Sequence, residues 1–461
     1  MKRPHGSRLA LLRAMLPVAL LLLALGLRLY RIDAQSLWND EGTSVAVAQR
    51  DLLTITRDAA GDIHPPLYYW LLAGWVRLAG SSEFAVRSLS ALWGVALVAL
   101  IYSLGRLLQP TGARWPAPVA AALAAVHPFL VVYAQEARMY TLLALWAALA
   151  FYAALRWLAA RPGEPSLPWG LAYLFAAAAG LYTHYAFPLV LAAANLAVLL
   201  ALVLPRETGG GRAPGLQRLG AWLALQAGAL LLFAPWLPVA YRQLTTWPGV
   251  DEPVELLAAL TRIAQILATG PAAAPWRETS WILLVLLLAY FPRRDGRLRG
   301  AVAWLVVPVI LVLALGLYKE AYLKFLIVAC PAYCLLAGRL VGGAAFTRWG
   351  RDLALAAVVG LLLVATALHG LGDYYTDPAY ARDDYRGLAA YLEAVGRPGD
   401  AVVLNAPGQL EVFTYYYDGD LPVYPLPAER PADAAATEAA LQALAGPGGR
   451  VFALLWATDE S

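Results

Sequence analysis

The sequence predicts a polytopic α-helical membrane protein with a small α/β domain at its C-terminal end. Hydrophobic residues make up 61% of the chain and charged residues only 14%, an apolar share well above that of soluble domains. Apolar segments long enough to cross a bilayer recur from residue 14 to residue 369. After His369 polar residues return, and short apolar strands alternate with helical patterns, as in a parallel α/β sheet.

About eleven segments have the roughly 17–25 residues that a membrane-spanning helix needs. They lie near residues 14–30, 86–105, 116–133, 141–158, 168–183, 186–204, 219–238, 280–291, 301–317, 323–340 and 353–369. Arginines set the orientation, because cytoplasmic loops retain Lys and Arg. With the N-terminus inside, the arginine-rich loops all fall inside, and the acid-rich segments 32–83 and 241–279 fall outside. We therefore expect a multi-pass protein of the cytoplasmic membrane whose C-terminus is extracytoplasmic.

Residues 65–80 are apolar but only about sixteen residues long, at the short limit for a span. Pro65 and Pro66 open the segment as a helix start. Counting it as a span would invert the orientation of every later loop. The pattern therefore predicts a juxtamembrane helix on the outer surface, with Tyr and Trp at the interface.

The chain divides into a transmembrane domain, 1–370, whose outer loop is 32–85, and an extracytoplasmic α/β domain, 371–461. In the second domain the patterns predict helices over 383–395, 409–417 and 434–445, and strands over 401–405, 421–424 and 451–456. The sequence stops directly after a strand, so either the sheet is minimal or the sequence is truncated. Cys330 and Cys334 offer neither a disulfide framework nor a zinc site. Asp418-Gly419-Asp420 is interpreted as a turn, and no Gly-rich nucleotide fingerprint is present.

The segment S-L-W-N-D-E-G-T-S, residues 36–44, carries the leading chemical candidates, Asp40 and Glu41. Adjacent carboxylates in a structured loop can supply a general base, because one of them can have a raised pKa beside its charged partner. The structural alternative is that Asp40 caps a helix that begins at Glu41.

The motif A-Q-E-A-R-M-Y places Glu136, Arg138 and Tyr140 in the next outer loop. A short loop between spans needs no charges, so paired opposite charges there indicate either a functional site or a structural ion pair.

His64, in D-I-H-P-P, and His184, in Y-T-H-Y, are two of the five histidines. Both are predicted on the outer side of the membrane. Two histidines make no metal site without a third ligand. Asp40, Asp62 or Glu136 could supply one, so a divalent ion stays a candidate. The structural alternative for His64 is a hydrogen-bonded loop residue.

Lys319 and Lys324 lie in one outer loop, although the whole chain has only three lysines. Basic residues on the outer side run against the positive-inside trend. They indicate an anionic partner such as a lipid phosphate, or else snorkelling to the lipid head groups.

Together, these motifs resemble the bacterial GT-C glycosyltransferases related to the protein O-mannosyltransferases and the lipid A aminoarabinose transferase. The resemblance rests on S-L-W-N-D-E-G-T-S, H-P-P-L-Y-Y, E-F-A-V-R-S-L-S-A-L-W-G, Q-E-A-R-M-Y and Y-T-H-Y. It runs from about Leu9 to Leu340 and is more specific up to Tyr185. It implies a GT-C membrane domain, to which a C-terminal soluble domain of variable type is commonly added.

The resemblance also implies roles for single residues. Asp40 matches the family's catalytic base, and Glu41 is its neighbour. Glu136 falls in the region of the second acidic residue, with E-A-R in place of an Asp. Lys324 matches a basic position associated with the lipid phosphate, and Lys319 lies beside it in the same loop.

The metal site of the aminoarabinose transferase is only partly matched. His64 occupies the position before two prolines where that enzyme carries a metal-binding Glu. Its histidine ligand lies in the loop after the seventh span, whereas residues 241–279 contain no His here.

The resemblance implies inverting transfer of a sugar from a polyprenyl phosphate to an acceptor hydroxyl on the outer side of the membrane. No nucleotide or other cofactor is required, and Arg138, Lys324 or a metal ion would stabilise the leaving phosphate. The acceptor is a glycan, a lipid or a protein, membrane lipids surround the enzyme, and no nucleic acid is expected. The alternative is a transporter or flippase of lipid-linked sugars, but transporters tend to have repeats and midplane charges, and the sequence shows neither.

Overall fold

The apolar segments form helices along the chain. The structure is a computed structural model that describes residues 5–160, 164–203, 216–246, 254–272, 277–290, 298–343, 350–406, 408–428, 432–444 and 449–456. Its α-helices are α1 (His5–Leu29), α2 (Asn39–Ala48), α3 (Leu52–Gly61), α4 (Leu67–Ala79), α5 (Glu83–Leu108), α6 (Pro116–Val126), α7 (Pro128–Val132), α8 (Tyr140–Ala159), α9 (Leu167–Thr183), α10 (Phe187–Val203), α11 (Leu216–Phe233), α12 (Leu237–Thr246), α13 (Leu256–Thr269), α14 (Arg277–Tyr290), α15 (Arg299–Ala314), α16 (Cys330–Gly343), α17 (Gly350–Thr376), α18 (Tyr385–Val395), α19 (Gln409–Tyr416) and α20 (Ala434–Leu444). Shorter 3-10 helices cover Tyr133–Gln135, Ala234–Trp236, Glu320–Ala329 and Pro378–Tyr380. The strands are β1 (Ala401–Leu404), β2 (Val423–Pro425) and β3 (Val451–Leu454).

A helix lies at the position of each predicted span, which confirms the helical membrane-protein fold class. Among the described residues, five helices are long and apolar enough to cross a membrane, or six if one bent pair counts as a single span. Five more apolar helices have only 10–17 residues. The number of about eleven spans and the orientation of the chain therefore stay predictions.

The helices α4 and α13 lie in segments that the sequence predicts on the outer side of the membrane. The helix expected over 65–80 is α4, whose 13 residues extend about 20 Å, short of the roughly 30 Å hydrocarbon core. The segment 241–279, expected as an outer loop, contains the apolar helix α13. Its residues Ala259, Ile263 and Leu267 are buried at a four-residue spacing, which the sequence analysis did not single out.

The bent pair is formed by α6 and the segment Pro128–Gln135, which joins α7 to the next 3-10 helix, and the two axes differ by 57° at His127. Pro128 cannot donate a backbone hydrogen bond and disfavours helical geometry in the residue before it. The carbonyls at the end of α6 are therefore left without helical partners. The fully buried guanidinium of Arg28 replaces those partners, donating from Nη1 to Ala125 O at 3.0 Å and from Nη2 to Ala124 O at 3.2 Å. Where water is excluded, such pairing is what permits the break.

The chain forms two compact units. The helical unit consists of Met1–Tyr30, Thr56–Tyr68 and Arg87–Tyr380, and the sheet unit of Arg31–Ile55, Tyr69–Val86 and Ala381–Ser461. The domain division at residue 370, proposed from the sequence, stays a prediction. Cys330 and Cys334 are free and buried in the helical unit.

A three-stranded parallel sheet with the order β2-β1-β3 lies in the sheet unit, which confirms the predicted α/β element. All four residues of β1 are buried, as expected for the central strand of a parallel sheet. Val402 pairs with Val423 of β2 and with Phe452 of β3. Asp418 to Asp420 lie in a bend before β2, in agreement with the predicted turn.

An ion pair joins the starts of β1 and β3. Arg450 Nη2 lies 2.7 Å from Asp400 Oδ2, and the backbone N–H groups of Arg450 and Arg397 donate to the same carboxylate. The hydrogen bonds from Arg450 hold the pKa of Asp400 well below its ordinary value. Because the depressed pKa belongs to the folded state, this stabilisation is complete above the unfolded pKa and is lost as the pH falls below it.

We therefore expect Asp400→Asn to destabilise the protein at pH 7 but progressively less below about pH 4, the ordinary pKa of an aspartate. Thermal unfolding of wild type and variant in detergent, from pH 7 to pH 3, measures the gap between them. A gap that stays constant over that range would show that the charge of Asp400 does not contribute.

Candidate active site

Asp40 and Glu41 lie in the first turn of α2, where the N-terminal end of the helix dipole favours negative charge. The helix begins at Asn39, with Trp38 in the N-cap position. The expectation that Asp40 caps a helix beginning at Glu41 is therefore wrong, since the chain turns helical two residues earlier. Glu41 does assist the helix start, because its Oε2 accepts the backbone N–H of Trp38 at 3.4 Å.

The two adjacent carboxylates differ in their surroundings. The side chain of Glu41 has no exposed area, and its Oε2 lies 2.7 Å from Nη1 of Arg382. Asp40 is half-buried. Glu41 is therefore held in a buried ion pair, and Asp40 is the carboxylate of the two with surface left for a substrate hydroxyl.

A second group of candidates surrounds Tyr140 in the helical unit, and we refer to Arg138, Tyr140, His184, Lys324 and Phe325 as the Tyr140 cluster. Lys324 Nζ lies 5.1 Å and Arg138 Cζ 5.9 Å from the centre of the Tyr140 ring. Both distances are within the range of cation–π attraction. His184 completes the cluster, with its ring 6.2 Å from that of Tyr140 and 4.4 Å from that of Phe325.

The hydrogen bonds of His184 define its proton position. Its Nδ1 accepts the backbone N–H of Ala186 at 2.9 Å, so the neutral ring carries its proton on Nε2. Burial lowers the pKa of His184 well below its ordinary value. The positive charges of Lys324 and Arg138, and that of His64 when it is protonated, lower the same pKa further. At neutral pH His184 is therefore a neutral ring that offers one N–H donor.

Among the described residues, the buried polar atoms of the cluster that have no hydrogen-bond partner include Nε2 of His184 and the hydroxyl of Tyr140. Leaving buried polar groups unsatisfied is costly. Two unsatisfied donors beside two cations form an arrangement suited to an anion such as a carboxylate or a phosphate, both of which Arg and Lys bind through charge-assisted hydrogen bonds.

His64 lies beside this cluster, its ring 5.5 Å from that of His184. Its Nδ1 contacts Oδ2 of Asp62 at 3.4 Å. Gln243 holds the segment before it, because its Nε2 donates to Ala59 O at 2.8 Å and also to Asp62 O. His64 is thus a hydrogen-bonded loop residue that also faces a second histidine.

These residues do not fit a metal ion. Within the described parts of the chain, no group of three or more His, Cys, Asp and Glu side chains is placed to hold one. His184, moreover, carries its proton on Nε2 while Nδ1 is already bonded to Ala186. Neither of its nitrogens therefore presents a lone pair to a cation.

Glu136 and Lys319 differ in their placement. Glu136 is buried, with 8% of its surface exposed, and directly follows the 3-10 helix Tyr133–Gln135. Lys319 is exposed and precedes the 3-10 helix Glu320–Ala329, whereas Lys324 is half-buried inside that helix. The pair of lysines predicted as one group thus separates into one cluster residue and one surface residue.

Residues far away in the chain hold the candidates in place. Arg382 is 341 positions from its partner Glu41, and Gln243 is more than 180 positions from Ala59 and Asp62. No local pattern marks either residue.

The sheet unit also contains a cavity of about 410 Å³ lined by Tyr385, Tyr391 and Gln409, among others. Its buried polar groups already bond one another, as Gln409 Nε2 does with the Tyr385 hydroxyl at 3.2 Å.

The helical fold with its small α/β sheet is similar to that of GT-C membrane proteins. Residues 63–239 match the family model described as dolichyl-phosphate-mannose-protein mannosyltransferase. That range includes His64, Glu136, Arg138, Tyr140 and His184, but neither Asp40 nor Lys324. A sequence search of the curated proteins finds no match.

Solved structures share the fold at low sequence identity. The structure of ArnT from Cupriavidus metallidurans bound to undecaprenyl phosphate is 18% identical, with a TM-score of 0.53 over 88% of this chain and 85% of that chain. The archaeal oligosaccharyltransferase AglB from Archaeoglobus fulgidus, in complex with an inhibitory peptide and a dolichol-phosphate, is 11% identical, with a TM-score of 0.56. That alignment covers 90% of this chain and 64% of that chain. The resemblance to the GT-C glycosyltransferases is therefore confirmed.

Proposed function

We propose that the protein transfers a sugar from a polyprenyl-phosphate donor to an acceptor hydroxyl, with inversion at the sugar carbon. The observation that carries this proposal is the Tyr140 cluster, where two cations flank the unsatisfied donors of His184 and Tyr140. The nature of the donor is supported by the lipid phosphates bound to two proteins of the same fold, undecaprenyl phosphate in ArnT and dolichol-phosphate in AglB.

The proposed reaction needs a base and an anion site. Asp40 takes the proton of the acceptor hydroxyl as the acceptor oxygen bonds to the sugar carbon. The bond from that carbon to the phosphate oxygen breaks, and its electron pair leaves with the phosphate. Arg138, Lys324 and the Nε2–H of His184 stabilise the charge that grows there, and they do so more effectively because the cluster is largely closed to water.

We place the reaction on the outer side of the cytoplasmic membrane, because the arginine-rich loops then all lie inside. No nucleotide is needed, since a sugar phosphate ester is already activated. A glycan, a lipid or a protein hydroxyl can serve as the acceptor.

The test uses the purified protein in nanodiscs with a panel of polyprenyl-phosphate monosaccharides and a membrane and cell-wall extract as the source of acceptor. We expect one donor to release free polyprenyl phosphate. Release should survive a chelator, because the cluster does not fit a metal ion. A chelator-sensitive reaction would show that a divalent cation, a candidate from the sequence, takes part.

The alternative function, a transporter or flippase of lipid-linked sugars, is tested in the same preparation. Movement of an intact donor between leaflets without release of polyprenyl phosphate would favour it over the transferase. No internal repeat is visible in the sequence, and Asp40, Glu136 and Arg138 lie outside the candidate membrane-spanning helices, which supports the transferase.

A further inference from the structure

We infer that Arg382 is a positioning residue that acts through Glu41 to fix Asp40 for the reaction. This inference rests on the proposed role of Asp40 as the general base. Its evidence lies wholly within the sheet unit, where the segment 35–42 is bound by residues that follow it by more than 340 positions.

Solvent has little access to the ion pair between Glu41 and Arg382. The Glu41 side chain is 0% exposed and that of Arg382 is 13% exposed, with 2.7 Å between Oε2 and Nη1. A buried carboxylate requires a partner of opposite charge, and removing one member of such a pair leaves the other uncompensated. Loss of Arg382 would therefore weaken the hold on Glu41 and on the residue before it.

Further hydrogen bonds hold the same segment along its length, and together with the ion pair we call them the loop clamp. They run from Arg382 N to Gln35 Oε1 (2.7 Å), from Ser36 Oγ to Asp383 O (2.6 Å), from Leu37 N to the Tyr416 hydroxyl oxygen (2.6 Å) and from the Tyr385 hydroxyl to Asn39 Oδ1 (2.7 Å). Both neighbours of Asp40 in the chain, Asn39 and Glu41, are thus bonded to residues 382–385.

Close packing of α2 on α19 adds to these bonds. A Cβ atom at Gly42 would lie 2.4 Å from Cβ of Val412, so only glycine allows this approach. The backbone of Asp40 itself is bonded within α2, because Ser44 Oγ donates to Asp40 O at 2.7 Å. The backbone of Asp40 is consequently fixed by its own helix and by the packing of α2 on α19.

A fixed backbone matters because a general base must lie within hydrogen-bond reach of the proton it removes. A displacement of about 1 Å can lower a rate roughly 100-fold. Glu41 was a candidate for catalysis itself, and its closed ion pair assigns it to the clamp instead.

The test compares Arg382→Gln with the double variant Glu41→Gln/Arg382→Gln in nanodiscs, using the donor that the wild type consumes. We expect Arg382→Gln to lower kcat by about 10- to 100-fold while the KM for the donor changes little. In the double variant two neutral amides can hydrogen-bond without a stranded charge, so we expect kcat to return close to the wild-type value.

A matched control is Arg77→Gln, which removes an exposed arginine of the same unit whose Nη2 donates to Arg50 O. It should leave kcat unchanged. If the double variant is as inactive as Arg382→Gln, Glu41 takes part in the chemistry itself and the positioning role is overturned.

Hydrogen–deuterium exchange of the segment 36–48 separates this inference from the proposed function, since it needs no substrate. We expect exchange there at least about ten times faster in Arg382→Gln than in the wild type, with recovery in the double variant. Unchanged exchange would overturn the clamp even if the wild type proves to be a transferase. Faster exchange in a protein without turnover would keep the clamp and remove the proposed function.

Discussion

Asp40→Asn is expected to lower turnover by roughly 100- to 10,000-fold, the usual contribution of a general base. Asparagine keeps the size of the side chain and cannot take a proton. Because the backbone around residue 40 is fixed by its own helix and its bonded neighbours, the substitution should leave the fold intact. The measurement is the rate of polyprenyl phosphate release in nanodiscs, together with donor binding and thermal unfolding of the variant.

The matched control is Asp33→Asn, which makes the same change at an exposed acid seven residues earlier in the chain. It should retain wild-type turnover, and both variants should bind donor as the wild type does. Retained turnover in Asp40→Asn would remove the proposed base. Lost turnover together with lost donor binding would instead show that Asp40 binds the substrate.

The sequence could predict these candidates because charge is rare and costly among apolar helices. Glu136, Arg138 and His184 each stood out as polar residues at the ends of apolar segments. The scarcity of charged residues marks each candidate separately. It does not predict which candidates contact one another in the folded chain. The structure shows that Arg138, His184 and Lys324 lie around the ring of Tyr140. Lys319, in contrast, is exposed.

The partners of the candidates could not be predicted from the sequence for a different reason. Arg382 lies in a polar stretch with several charges, where the sequence does not distinguish a paired arginine from a solvated one. Its pairing with Glu41 depends on a contact across 341 positions, and no periodicity encodes such a contact. The sheet, by contrast, follows from local patterns, because β1 is a short apolar run flanked by turn residues.

Lys324→Gln is expected to weaken donor binding by roughly 10- to 100-fold, because a hydrogen bond to a charged group contributes about 1.5–3 kcal/mol. The ammonium lies 5.1 Å from the centre of the Tyr140 ring, and glutamine would keep much of the side-chain length without the charge. The measurement is the equilibrium dissociation constant of the polyprenyl-phosphate donor, with polyprenyl phosphate itself as a second ligand. Both should weaken alike, since the phosphate is the group they share.

Lys319→Gln gives the matched comparison, since it removes the same charge from an exposed lysine five positions away. We expect a change of no more than about twofold, abolished by salt, because exposed charges are screened within about 10 Å at 0.1 M ionic strength. Equal losses in both variants would mean that the outer segment attracts the anionic lipid through its net charge alone. A loss confined to Lys324, which persists at high salt, would locate the phosphate at the Tyr140 cluster.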